Sequence, residues 1–120
     1  MKKVLLIALA AFFMVSLISI NLSAEEISWK DAKNYIGKEV TVCGKIVDGF
    51  PIGGGLFLLG MGVSAMQPAT VGLEVPDAVK SKLPADWYKG KEICVTGKPH
   101  VNPLGGASLT ISDPSQIVEK

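Results

Sequence analysis

The side chains able to do chemistry in this chain are few: one histidine, His100, two cysteines, Cys43 and Cys94, and the methionine pair Met61 and Met66 in the stretch MGVSAMQP. A Ser-His-Asp or Cys-His site needs an imidazole as its base, so any such site must use His100. That residue lies in KPHVNP, between two prolines, where a loop is expected and no triad partner stands nearby. Asp48, Asp77, Asp86 and Asp113 occupy turn or cap positions, which accounts for them structurally. The P-loop, H-E-x-x-H and G-x-S-x-G patterns do not occur. The run Gly53-Gly54-Gly55 precedes a strand rather than the helix N-terminus that cradles phosphate. The cysteines lack the C-x-x-C spacing that lowers a thiol pKa. Catalysis is therefore not expected, and no cofactor is called for. What remains is a soft-donor set, Met61, Met66 and His100, whose chemistry would suit Cu(I). Methionine as a flexible filler of core gaps is the simpler account.

Composition narrows the partners. The chain has 120 residues, one domain's worth, and begins MKKVLLIALAAFFMVSLISINLSA. Lys2-Lys3, an apolar run from Val4, and the small residues Ser23 and Ala24 form the pattern of a signal peptide cleaved after Ala24. The competing reading is an uncleaved anchor, since about 18 apolar residues can span a bilayer. Residues 25–120 form the domain, and after cleavage no membrane attachment is expected. Without Lys2 and Lys3 the formal charge of +1 becomes −1, and the chain contains no arginine. Such a domain lacks both the broad positive field of nucleic-acid binders and the bidentate fork that recognises phosphate. An exported, periplasmic or secreted, monomer-sized domain is the expectation.

The elements that must position these residues are short. ISWKDAKNYIGK predicts a helix capped by Ser28, with Asp31 as a capping-box partner and Trp29, Ala32 and Ile36 on one face. EVTVCGKIVDGF alternates as a half-buried strand, with Gly44 as a bulge or bend. A turn at 51–55 leads to a wholly apolar second strand, Leu56–Leu59, and a flexible Gly/Met/Pro loop follows. ATVGLEVPD resumes the alternation as a third strand. DAVKSKL predicts a helix that Pro84 stops. KEICVTGKPHV is the fourth strand, residues 108–112 the last, and an extended tail closes the chain.

Short strands with one helix between the third and fourth resemble the OB-fold, a five-stranded Greek-key barrel. The likeness rests on VTVCGKIV, on the helix-bearing connection PDAVKSKLPADWYKGK, and on ICVTGKPHV followed by ISDPSQIVEK. In detail the chain is similar to small exported bacterial OB-fold proteins. That resemblance implies an all-β fold with minor α content and makes the first and fourth strands antiparallel neighbours. The stretches GKEVTVCGK and GKEICVTGK then explain each other, because the cysteine and threonine have exchanged places. One antiparallel register sets Cys43 against Cys94 and Thr41 against Thr96, close enough for a disulfide.

The resemblance also implies a ligand face on strands two and three and the 60–70 loop, since OB-folds bind oligonucleotides and oligosaccharides there. The residues expected to form it are Phe50, Phe57, Leu59, Val71 and Leu73. With no lysine between Lys45 and Lys80, nucleic acid follows from fold analogy alone, and a protein partner suits the apolar surface at least as well. The small periplasmic copper chaperones, an exported OB-fold family, use a histidine, two methionines and a nearby tryptophan. By that likeness Met61, Met66 and His100 would be ligands of an alternative soft-metal carrier. Trp29, Trp87 and Tyr88 are read instead as plugs anchoring the two helices. A structural domain stapled by its disulfide is the remaining alternative.

Overall fold

The computed structural model describes residues 24–120, so the reading of the leader as a signal peptide lies outside the described residues. Strand β1 (Glu25–Ser28) ends at a cap: the Ser28 hydroxyl accepts from the Lys30 amide at 3.3 Å. The segment Trp29–Tyr35 that follows is a 3-10 helix rather than the expected α-helix. At three residues per turn, Trp29, Ala32 and Tyr35 align on one side and pack on the core. Ile36, assigned to that face by an α-helical period, falls off it and is exposed.

Strand β2 (Val40–Gly53) is the spine of the fold. Its first half pairs antiparallel with β5 (Glu92–Gly97), and its second half with β3 (Leu56–Met61). The bend between the halves carries a register shift between Ile46 and Asp48, an irregularity of the kind that re-aims a strand. The bulge is thus not at Gly44. That glycine serves close packing instead, because a Cβ there would lie 2.6–2.7 Å from Met61 and the Trp29 ring. Strand β4 (Val71–Pro76) pairs antiparallel with β3 and parallel with β7 (Ala107–Thr110), and β6 (His100–Val101) lines the far side of β7. The terminal β8 (Ile117–Glu119) pairs with β5 of the same chain, so the tail closes on its own sheet. The helix expected over DAVKSKL is a single turn, Asp77–Lys80.

The sheet order is β6-β7-β4-β3-β2-β5-β8, with β1 beside β2. The result is mostly β, a curled, open half-barrel compatible with an OB-like fold. Among the described residues eight strands stand where five were expected, because the segments at 25–28 and 117–119 and the 98–106 loop add short strands to the sheet. No ladder joins β5 to β7. Gln116, at the end of the 3-10 helix Pro114–Gln116, spans the gap instead. Its Nε2 donates to the Thr96 carbonyl at 2.9 Å and the Thr110 carbonyl at 3.3 Å. Its Oε1 accepts from the amides of Ser112 and Asp113.

Alternation sends Val40, Val42, Ile46, Leu59, Leu73 and Val95 into the interior, where they are almost wholly buried. Each such side chain contributes about 1.5–3 kcal/mol. Two lids cover the interior of the half-barrel at opposite ends. Trp29 and Ala32 cover the Met61–Val71 end, while Val79, Trp87 and Tyr88 cover the Phe57–Val75 end, where the Phe57 and Tyr88 ring centroids are 5.6 Å apart. The register along β2 and β5 is the one expected from the exchanged cysteine. Cys43 opposes Cys94 in a disulfide with Cα atoms 4.1 Å apart, and the hydroxyls of Thr41 and Thr96 lie 2.8 Å apart.

Candidate ligand cleft on the outer face

The register fixes what the outer surface of β3 and β4 carries. Inward residues are Phe57, Leu59 and Met61 on β3, and Val71, Leu73 and Val75 on β4. The outward set is therefore Leu58 and Gly60 on β3, with Gly72 and Glu74 on β4. Next door, Ser108 lies beside Gly72 and Thr110 beside Glu74 on β7, and His100 opposes Ser108 from β6. This surface forms the floor of a cleft of about 230 Å³, lined by Leu58, Gly72, Glu74, Ser108 and residues from three flanking segments.

Each wall is tied down. The 62–70 loop folds back over β3, where the absent side chain of Gly60 leaves room: a Cβ there would sit 2.3 Å from the Ala65 nitrogen. Asp48 holds the loop, accepting from the Ser64 hydroxyl at 2.6 Å and the Ala65 amide at 2.9 Å. Thr70 pins its other end by donating to the Val63 carbonyl at 3.1 Å. The opposite wall is Pro103 and Leu104, shaped by Asn102, whose Oδ1 accepts from the amides of Leu104 and Gly106. The Asn102 Nδ2 donates to the Ser108 hydroxyl at 3.2 Å, anchoring that loop to the floor. Ile52, on the curled end of β2, completes the apolar rim.

One charged cluster sits in this apolar setting. Glu74 Oε1 accepts from the Thr110 hydroxyl at 2.9 Å and lies 3.0 Å from His100 Nε2. Its side chain is 24% exposed, and among the described residues no lysine lines the cleft. The Thr110 proton is directed at the carboxylate, and the second ring nitrogen of His100 faces the Val101 carbonyl at 3.5 Å.

The residues expected at the ligand face require correction. Phe57, Leu59, Val71 and Leu73 lie in the buried core. Only Phe50, half-buried and opposite Leu58 in the ladder, shares the outer face. The strands run where the sequence places them, but these side chains face inward: β3 begins Leu-Phe-Leu-Leu, apolar at every position, so it gives no phase. The signal was in β4, where VGLEV carries its only charge out of step with its branched residues. The soft-metal set is not assembled either. Met61 is fully buried, Met66 is 67% exposed in the loop, and His100 is on the outer side of the sheet beneath which Met61 lies. Asp48 is a loop tether rather than a simple turn residue.

This architecture is that of an OB-like β domain. No protein-family model and no curated protein matches the sequence. Among solved structures the chain is similar to one named as an aspartyl-tRNA synthetase from Leishmania major Friedlin, with TM-score 0.57 and 9% identity, over 81% of this chain and 21% of that one. It is likewise similar to the asparaginyl-tRNA synthetase from Pyrococcus horikoshii, with TM-score 0.53 and 14% identity, over 81% of this chain and 23% of that one. A third likeness is to OBody AM1L10 bound to hen egg-white lysozyme, with TM-score 0.53 and 17% identity, over 83% of this chain and 98% of that one. The chain thus spans about a fifth of either synthetase. Identities this low speak for the fold alone.

Proposed function

We propose that the protein is an exported, non-catalytic binding or adaptor module that holds its ligand on the outer face of β3 and β4. The cleft between the tethered 62–70 and 98–106 loops carries this reading, because apolar walls with a few convergent polar groups are what a binding site needs. In this reading β2, β3, β4, β5 and β7 are the five strands of a Greek-key OB barrel, whose second and third strands and flanking loops form the usual ligand platform. Export is supported by the leader pattern and by the Cys43–Cys94 bond, which persists in oxidising compartments.

Charge argues about the ligand. The two synthetases carry tRNA in their names, and the third likeness is bound to a protein. Glu74 in the floor and the lack of a lining lysine oppose a phosphate backbone, so a protein segment is the better-supported ligand.

An amide-shift titration tests this with three probes: an oligo-dT, a chitin oligosaccharide and a peptide. Shifts gathered at Leu58, Gly72, Glu74 and Ser108 are expected for one of them. Shifts confined to the lid residues or to the disulfide face would overturn the assignment. Silence from all three at millimolar concentration would leave a purely structural domain.

A further inference from the structure

We infer that the cleft takes the cationic side chain of a lysine or arginine carried on an extended, aliphatic-rich peptide segment. The inference rests on the reading of the outer face as the ligand face and names what that face selects.

Glu74 is the centre of the argument. A carboxylate offers about four acceptor sites over its two oxygens. Thr110 and His100 both approach Oε1, and among the described residues Oε2 has no hydrogen-bond partner. The Thr110 bond fixes the carboxylate in place, so little side-chain freedom is lost when a further donor arrives. Around it the lining is Leu58, Ile52 and Leu104, whose low polarity strengthens a charge-assisted hydrogen bond.

The other ligand classes fit less well. Among the described residues a metal ion would find only Glu74 and His100 here, fewer than the three or four protein ligands of a zinc site. An anion would meet the carboxylate with no lysine to offset it. The volume of about 230 Å³ falls below the roughly 300–1,000 Å³ of small-molecule sites, and suits one long side chain. The surroundings exceed what a free amine needs. Leu104 is half exposed at the rim of the cleft, and Phe50 extends the apolar strip past Leu58. Beyond them, β6 is the last strand of the sheet: the bond from the Asn102 amide to the Gly106 carbonyl sets a phase in which His100 pairs with Ser108 and the Val101 backbone faces the open edge. An extended peptide can pair there while every second side chain turns toward the sheet.

The test uses the oxidised protein and three capped pentapeptides of alternating valine and serine, with lysine, norleucine or glutamate at the centre. Amide shifts of Leu58, Gly72, Glu74 and Leu104 report binding. The lysine peptide should bind at least about tenfold tighter than the norleucine peptide, the size of one charge-assisted hydrogen bond. Glu74→Gln, which keeps the shape and the Thr110 contact, should erase that difference. Leu104→Ser, in an exposed loop remote from the core, should weaken both peptides alike. Equal affinity for lysine and norleucine would overturn the cationic preference while leaving the ligand face standing. Tighter binding of the glutamate peptide, or of oligo-dT, at these residues would do the same. Shifts from every peptide away from these residues would overturn the ligand face itself.

Discussion

The side-chain amide of Gln116 donates to the backbone carbonyl of Thr96 at 2.9 Å, across a gap that no strand ladder bridges. The same nitrogen reaches the Thr110 carbonyl, so one residue joins β5 to β7. Gly97 lies beside this bridge: a Cβ there would crowd Leu109 at 3.0 Å but meet the Gln116 amide at an ordinary 3.6 Å.

Gln116→Ala should therefore cost more than its position near the C-terminus suggests. It leaves the Thr96 carbonyl without its side-chain donor and removes the acceptor of the Ser112 and Asp113 amides. A loss of about 1–3 kcal/mol is expected, read from the urea midpoint with the disulfide intact. An unchanged midpoint would mean that water seals the gap as well as the side chain does.

The disulfide joins residues 51 apart in sequence. Constraining a loop of that length stabilises a fold by about 4 kcal/mol in the chain-entropy account. The double variant Cys43→Ala, Cys94→Ala should lower the unfolding free energy by roughly 2–4 kcal/mol. Protein reduced under native conditions should lose a similar amount.

Gly62 has φ +87°, and a Cβ there would lie 2.2 Å from the Trp29 indole. Gly62→Ala combines left-handed backbone with a clash against the Trp29 lid. A loss of about 2 kcal/mol or more is expected. The Trp29 emission should shift red as the ring is displaced toward water. A native-like spectrum and midpoint would show that the lid is not held by this contact.

Asp113 caps the helix at 114–116. The Ser115 amide donates to it at 2.8 Å, and this bond, followed by the Ser115 side chain and the Lys82 charge, holds its pKa below the ordinary value. Because the folded pKa is the lower one, the stabilisation is present above the unfolded value of about 3.9 and fades as pH falls through the folded value. Stability of the wild type should thus decline on acidification below about pH 4 more steeply than that of Asp113→Asn. Parallel curves for the two proteins would remove the cap from the account.

Some of this molecule was legible in its sequence, because two strands repeat one another with a cysteine and a threonine exchanged. That pattern carries a register, and Cys43–Cys94 with Thr41–Thr96 follow once the strands are neighbours. The Trp29 and Tyr88 plugs were also legible, though not that they close opposite ends. The phase of β3 was not, since four successive apolar residues fit either side of a sheet. Nor was the meeting of Glu74 with His100, which are brought together by the parallel pairing of β4 with β7 and the turn-back of β6. The short strands β1, β6 and β8 depend on edges left open by the rest of the fold, and local propensity does not encode an edge. The 3-10 helix traded the i, i+7 partner Ile36 for Tyr35, a choice made by the core beneath it.

The bond between Cys43 and Cys94 also divides the surface into segments that survive cutting and segments that do not. A protease that clips the 53–55 turn, the 62–70 loop or the 81–91 connection leaves both fragments tied to one another. The product is one molecule, heavier by a single water, and it separates into two bands only after reduction. A clip in the 98–106 loop falls outside the tie. It would release β7, the Gln116 bridge and β8 together, and with them one wall of the cleft. Where proteases are abundant, the loop that walls the cleft is thus one that the disulfide does not protect.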